Sequence, residues 1–263
     1  MRRPAAPAPP GPGARVDAGA LPVRRGSLGG AWADVRYPDG DEVHLPLALA
    51  ALHDALAVGA PLWLTGAGGD ARRLLEGAGF TRGRRTSGVL RATRLRTLPD
   101  IVGPGMRLLI CGLNPSVYSA DRGVAFARPG NRFWPAALEA GIVSRDRDPW
   151  HALRAHGVGF TDLVKRATPR ADALTPAEYR AGITRVAWLA GFLRPAVVCL
   201  VGLAGWRAAV DPKAVAGSQP GPIGGVPAYL MPNPSGLNAH ATVATLAAHL
   251  AAAAREAATG SQG

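Results

Sequence analysis

The run Leu108-Leu109-Ile110-Cys111-Gly112-Leu113-Asn114-Pro115-Ser116 constrains this chain more than any other stretch. An apolar segment that breaks into Gly-Leu-Asn-Pro describes a buried strand delivering an asparagine to its C-terminal edge. Pro115 cannot continue a hydrogen-bonded ladder, and Gly112 lets the backbone approach another group closely. In α/β proteins ligands bind in the crevice beyond such strand ends. A second turn of this kind, Met231-Pro232-Asn233-Pro234-Ser235-Gly236-Leu237-Asn238, follows another apolar run. Between the two lies Phe126-Ala127-Arg128-Pro129-Gly130-Asn131-Arg132-Phe133-Trp134.

The surrounding pattern alternates strands with helices. Strand signals fall at 107–112, 158–161, 196–202 and 226–231. Helical spacing fills 131–140, ending at Gly141, and a final Ala-rich helix is expected from near Asn238. Thr175-Pro176-Ala177-Glu178 is a capping box with proline at the first helical position, and it opens a helix whose Tyr179, Ile183, Val186, Ala190 and Leu193 share a face. Such alternation implies a mostly parallel sheet covered on both faces. Upstream, residues 1–22 form a Pro/Ala/Gly tract expected to be a disordered arm. Residues 23–100 read as a small accessory α+β domain. There Ala31, Ala33, Val35 and Tyr37, the turn Pro38-Asp39-Gly40, then Val43 and Leu45 predict a hairpin. Leu45, Leu49, Leu52 and Leu56 predict a helix, and strands are expected at 61–65 and 89–98 around a short helix at 70–77. This region weakly resembles the closing portion of class I methyltransferases, but the glycine-rich cofactor loop that should precede it is absent, so methyl transfer is not expected. Residues 99–105 read as a linker.

Charge and cysteine usage narrow the function. The formal net charge is +12, almost all of it from arginine. Residues 1–100 carry 14 basic against 9 acidic side chains and residues 101–263 carry 16 against 9, so the excess is spread over both halves. A polyanionic partner fits this balance. Only Cys111 and Cys199 are present, each inside an apolar run. They read as buried thiols in a reducing compartment and cannot supply a four-cysteine iron–sulfur site. His151, His156, His240 and His249 lack metal-ligand spacing with acidic or cysteine partners. No apolar stretch approaches the roughly 20 residues of a membrane span. An N-terminal Met1-Arg2-Arg3 without an apolar segment after it argues against a secretory signal. A cytoplasmic, DNA-associated monomer is expected.

Taken together and in this order, the three signatures resemble the mismatch-specific uracil/thymine-DNA glycosylases of the uracil-DNA glycosylase superfamily, from about Gly103 to about Ala254. The resemblance implies a three-layer αβα catalytic domain over residues 103–258. It implies hydrolysis of the N-glycosidic bond of uracil mispaired with guanine, with thymine and ethenocytosine as further candidates, in duplex DNA carrying G·U or G·T pairs. Neither metal nor cofactor is implied. Asn114 takes the role of holding the attacking water. It can orient that water but cannot act as a general base. More efficient relatives place an aspartate near this position and a histidine in the second motif, and both positions here are asparagine. Missing base assistance slows chemistry about 10²–10⁴-fold. Phe126 matches the aromatic that stacks on the extruded base, the backbone amides of Leu113 and Phe126 would meet its carbonyls, Ser119 would line the pocket, and Asn233 would face the flipped nucleotide. Leu237 matches the apolar wedge that fills the vacated stack, with Ser235, Gly236 and Asn238 against phosphate and the orphaned guanine. Relatives often carry a basic residue two positions after the wedge. Here it is Ala239, leaving Arg122, Arg128 or His240 to compensate.

Asn131 reads as the cap of the next helix, Phe133 and Trp134 as core, and Asp162 and Asp172 as structural. Two alternatives stand beside the glycosylase reading. One is a non-catalytic nucleic-acid-binding protein on the same fold, and the other a two-function protein with an independent N-terminal module.

Overall fold

A computed structural model describes residues 23–25, 31–34, 41–66, 68–236, 238 and 241–259. The 1–22 arm, the turn at Pro38-Asp39-Gly40, Leu237, Ala239 and His240 lie outside the described residues. The chain divides between Pro99 and Asp100 into two compact units.

The first unit holds a five-stranded sheet of β1 (Val23–Arg25), β2 (Ala31–Asp34), β3 (Pro61–Thr65), β4 (Arg84–Thr86) and β5 (Val89–Thr93), in the order β1-β2-β3-β5-β4. Only β2 and β3 run parallel, and the crossover between them carries α1 (Leu45–Ala55). The hairpin expected between residues 31 and 45 is not formed among the described residues. Asp41–His44 is a 3₁₀ turn that runs into α1, and β2 takes β1 as its antiparallel partner. Val43 and Leu45 sit where the helical spacing of Leu45, Leu49 and Leu52 wins, because that spacing buries all three leucines. The short helix α2 (Ala71–Gly77) follows β3, and its Leu74 and Leu75 join Leu62, Leu64, Phe80 and Leu90 in the core. The strand expected to reach Leu98 stops at Thr93, and β4 had no apolar signal to announce it.

In the second unit, β6 (Leu108–Gly112), β7 (Val158–Asp162), β8 (Val197–Val201) and β10 (Ala228–Met231) are mutually parallel, with the two-residue β9 (Gly217–Ser218) antiparallel at one edge. The order is β7-β6-β8-β10-β9. From β6 the chain moves to β7 on one side, then returns across β6 to β8 and β10 on the other. Right-handed crossovers therefore put α4 (Phe133–Glu139) and α5 (Pro149–His156) on one face, and α6 (Pro176–Leu193) and α7 (Ala204–Ala209) on the opposite one. The packing agrees, since α6 lies against α7 and α8 (Val243–Thr259) covers α4. Every residue of the four parallel strands is buried, as a sheet covered on both faces requires. The last helix begins five residues later than its spacing suggested, after Thr242, whose Oγ1 accepts from the Thr245 amide. The reversal of direction falls at β6, so the crevice for a ligand opens at the C-terminal ends of β6 and its neighbours.

Candidate active site

Asn114 stands two residues beyond the end of β6, and its amide is fixed from one side. Nδ2 donates to the Arg166 carbonyl at 3.0 Å, to the Pro115 carbonyl at 3.2 Å and to Thr168 Oγ1 at 2.7 Å. Thr168 Oγ1 spends its own proton on the Arg170 carbonyl at 2.8 Å, so it too can only accept from Asn114. Three acceptors around one end of the amide decide its orientation: nitrogen faces them, and Oδ1 is turned the other way. Thr168 is 3% exposed and its own N–H bonds Pro115 O at 3.1 Å, which zips the 163–168 segment to the turn. Leu163 N and Val164 N bond the carbonyls of Gly112 and Leu113 in the same way.

Gly112 is small for a reason that lies beside it. A Cβ at this position would sit 2.6 Å from Asp162 Oδ1 and 3.3 Å from Phe126 Cζ. The strand end, the Asp162 carboxylate at the end of β7 and the Phe126 ring therefore share one small volume. Phe126 itself has φ +57°, a left-handed conformation that costs a non-glycine residue about 1–2 kcal/mol. Its ring stacks on Phe133 with centroids 4.2 Å apart and planes inclined by 21°. The loop around it is held by Trp134 Nε1 donating to Ala125 O at 2.8 Å and Ala127 N donating to Ser119 Oγ at 3.3 Å. Phe133 and Trp134 are fully buried, as their place in an apolar helix predicted. Asn131 lies one residue before the helix cap and accepts from Phe133 N at 2.9 Å.

Ser119 lies in α3 (Val117–Arg122), buried, with its hydroxyl accepting from Ser116 Oγ at 3.0 Å as well as from Ala127 N. Its observed bonds tie the Phe126 loop to α3. The backbone N–H groups of Leu113 and Phe126 have no acceptor among the described residues.

The second turn is fastened to the Phe126 loop through Arg132, a residue the sequence reading passed over. The Arg132 amide donates to Pro234 O at 3.0 Å, and its guanidinium donates to Ser235 O and Asn238 O at 2.7 Å each and to Ala241 O. Gly236 passes so close to Gly130 that a Cβ would meet Gly130 O at 3.0 Å. Within the turn Asn233 Oδ1 accepts from Ser235 N, and Asn238 Nδ2 donates to Asn233 O, both at 2.9 Å. Asn233 is exposed and packs beside Gly202 at the end of β8. No hydrogen bond joins Asn114 to this turn among the described residues; the Phe126–Phe133 segment connects them.

Beneath the site lies a buried ionic cluster. Asp100 accepts from Lys165 and Arg185 at 2.8 Å each and from Thr161 at 2.7 Å, and Arg185 also reaches Thr161 Oγ1 and the Asp162 carbonyl. Burial works against the Asp100 charge, but the two cations and their hydrogen bonds outweigh it and hold the carboxyl below its ordinary range. The Asp162 carboxylate has no such hydrogen-bonded cation among the described residues. Burial lifts it to about 6, with Asp100 adding to the rise and Lys165 and Arg185 opposing it. Asp172, by contrast, is an exposed partner of Arg170 at 3.0 Å. Cys111 and Cys199 are buried thiols, Cys199 pushed up to about 12, chiefly by desolvation. Arg122 lies 5.4 Å from the Tyr118 ring and Arg128 is exposed.

The family model of the uracil DNA glycosylase superfamily matches residues 99–257, more than half of the chain and the whole of this site. The chain belongs to the uracil-DNA glycosylase superfamily. It is thereby a DNA glycosylase, a hydrolase of N-glycosidic bonds that acts on DNA in base excision repair. The match begins at residue 99, beside the point where the second unit begins. Its opening residues are integral to that unit, because Ile101 pairs antiparallel with Phe160 of β7 and Asp100 anchors the ionic cluster. No helix of the described residues is long and apolar enough to cross a membrane.

Proposed function

We propose that this glycosylase removes uracil paired with guanine from duplex DNA, using Asn114 to hold the attacking water. The observation that carries this reading is the one-sided anchoring of the Asn114 amide. With Nδ2 committed to Arg166 O, Pro115 O and Thr168 Oγ1, the lone pairs of Oδ1 are left for a donor from outside the protein. A water there is oriented without being deprotonated, so the anomeric carbon must already carry most of its oxocarbenium character when the water adds. The leaving pyrimidine departs as an anion spread over its carbonyl oxygens. The N–H groups of Leu113 and Phe126, preset by the strand end and by the left-handed Phe126 backbone, are the donors offered to it. Phe126, backed by Phe133, supplies the ring on which the extruded base stacks. Ser119 serves this pocket by holding the Phe126 loop.

Extrusion of the base falls to the second turn. Asn233 faces the flipped nucleotide. Leu237 fills its place in the stack, and Ser235, Gly236 and Asn238 meet the backbone and the unpaired guanine. Pairing with guanine is favoured because a wobble pair lowers the few kcal/mol needed to extrude the base. The same economy admits thymine and ethenocytosine opposite guanine as slower substrates. The protein works as a monomer on its duplex, without metal or cofactor.

Single-turnover excision from a G·U duplex tests the central assignment. Asn114→Ala should lower the rate about 10²–10³-fold, the loss typical of one preorganised polar group. A rate within threefold of wild type would remove Asn114 from the mechanism. Running G·T, G·ethenocytosine, A·U and single-stranded substrates beside it decides the mispair preference.

A further inference from the structure

The segment Thr81–Leu98 carries six arginines and no acidic residue, a concentration that the first unit's fold uses only in part. Arg94 Nε donates to the His53 carbonyl at 3.1 Å, and Arg82 lies 3.6 Å from Glu76. Arg84 and Arg91 are different. They stand directly opposite each other across β4 and β5, both are exposed, and neither guanidinium has an acidic partner or a hydrogen bond among the described residues. Like charges in directly opposed cross-strand positions destabilise a sheet. The neighbours of Arg91 on its own strand, Leu90 and Ala92, are buried, so alternation aims the guanidinium to the solvent side.

Protection of a sheet edge is the usual reason for charge on a short outer strand. It accounts for Arg84 on β4, which is the edge. It does not account for Arg91, because β5 is hydrogen-bonded on both sides, to β3 and to β4. A repulsive pair on a rigid ribbon is relieved by a ligand that brings negative charge to both members. Guanidinium forks match phosphate oxygens geometrically. The turn between the strands, Ser87-Gly88, offers no apolar side chain to sink into a lipid surface. The rest of the chain already acts on DNA, whose backbone presents such charges at short, regular intervals.

We propose that the solvent face of the β4–β5 hairpin, centred on Arg84 and Arg91, binds the phosphate backbone of DNA as a contact additional to that made by the glycosylase unit. Two phosphates engaged through this face add two counterion-releasing contacts to the protein's hold on any duplex, damaged or not.

The full chain and its Arg84→Gln/Arg91→Gln variant should be compared for binding to an undamaged duplex over a series of salt concentrations. A charge-matched control, Arg180→Gln/Arg255→Gln, alters exposed arginines of α6 and α8. Losing two phosphate contacts should reduce the slope of log affinity against log salt by about two and low-salt affinity about tenfold, with little change in the control. Single-turnover excision at saturating protein should be unchanged in the hairpin variant, which separates this result from a failure of the Asn114 assignment. Equal losses in variant and control would reduce the effect to net charge and overturn the proposal. So would an unaltered slope, whether accompanied by new dimers on size exclusion, which would make the arginines edge guards, or by lost binding to phosphatidylserine vesicles, which would make the face a membrane contact.

Discussion

Asp162 is the side chain whose chemistry sits least comfortably in its surroundings. Its folded pKa of about 6 lies above the ordinary aspartate value near 4, because burial disfavours the charge more than Lys165 and Arg185 restore it. The folded protein therefore binds a proton that the unfolded chain has already lost in this window. The associated stability is complete below about pH 4 and disappears as pH rises through about 6. Two pKa units correspond to roughly 3 kcal/mol. Asp162→Asn keeps the shape and removes the charge, so it should melt higher than wild type at pH 7.5, by several degrees, and with no advantage near pH 4. Parallel melting curves across that range would retire the idea. Thr168 makes a complementary prediction. Thr168→Val removes the acceptor at 2.7 Å from Asn114 Nδ2, freeing the amide to rotate, and should slow single-turnover excision about tenfold while leaving duplex affinity unaltered. Thr168→Ser should restore the rate. A Val variant as fast as wild type would show that the two carbonyls hold Asn114 by themselves.

At the scale of elements, turn chemistry explains what could be read in the sequence. Gly112, Asn114 and the Asn-Pro turn at 231–238 announce themselves because glycine and proline in those places admit few backbone alternatives. Phe126 was legible only through the motif that follows it, since nothing in the residue type signals a left-handed backbone. Arg132 and Thr168 were missed because their roles come from partners far away in sequence, and Asp162 was read only as structural because its burial beside Gly112 and Phe126 is set by the same kind of distant contact. Arg132 grips carbonyls more than 100 residues distant, which no spacing rule encodes. The false hairpin at residues 31–45 arose from a strand signal that β2 does meet, followed by leucines that a helix buries better. Arg132 also carries the prediction at this scale. Arg132→Met would leave three carbonyls of the 235–241 turn without their charged donor, and hydrogen bonds to a charged group are worth about 1.5–3 kcal/mol each. Amide hydrogen exchange should quicken through Ser235–Ala241, and the duplex concentration for half-maximal excision should rise while the rate at saturation falls less. Unchanged exchange in that turn would mean that the 130–132 backbone contacts suffice to hold it.

For the whole molecule, the question is where the catalytic unit begins. Every group of the proposed site lies beyond Asp100, yet Asp100 and Ile101 belong to that unit's interior. A protein starting at Leu98 keeps the Asp100 carboxylate against Lys165 and Arg185. One starting at Gly103 leaves those two cations, each under 10% exposed, without their counter-ion. Removing one partner from a buried charge cluster costs about 3–5 kcal/mol, or roughly 6–20 °C in a unit of this size. The longer fragment should therefore fold and excise uracil, with weaker hold on DNA because the β4–β5 arginines are gone. The shorter one should melt far lower, and Asp100→Asn in the full chain should reproduce much of that loss. Equal melting of the two fragments would show that the cluster is not what closes the unit. A folded 98–263 protein without excision would show instead that the first unit completes the active site.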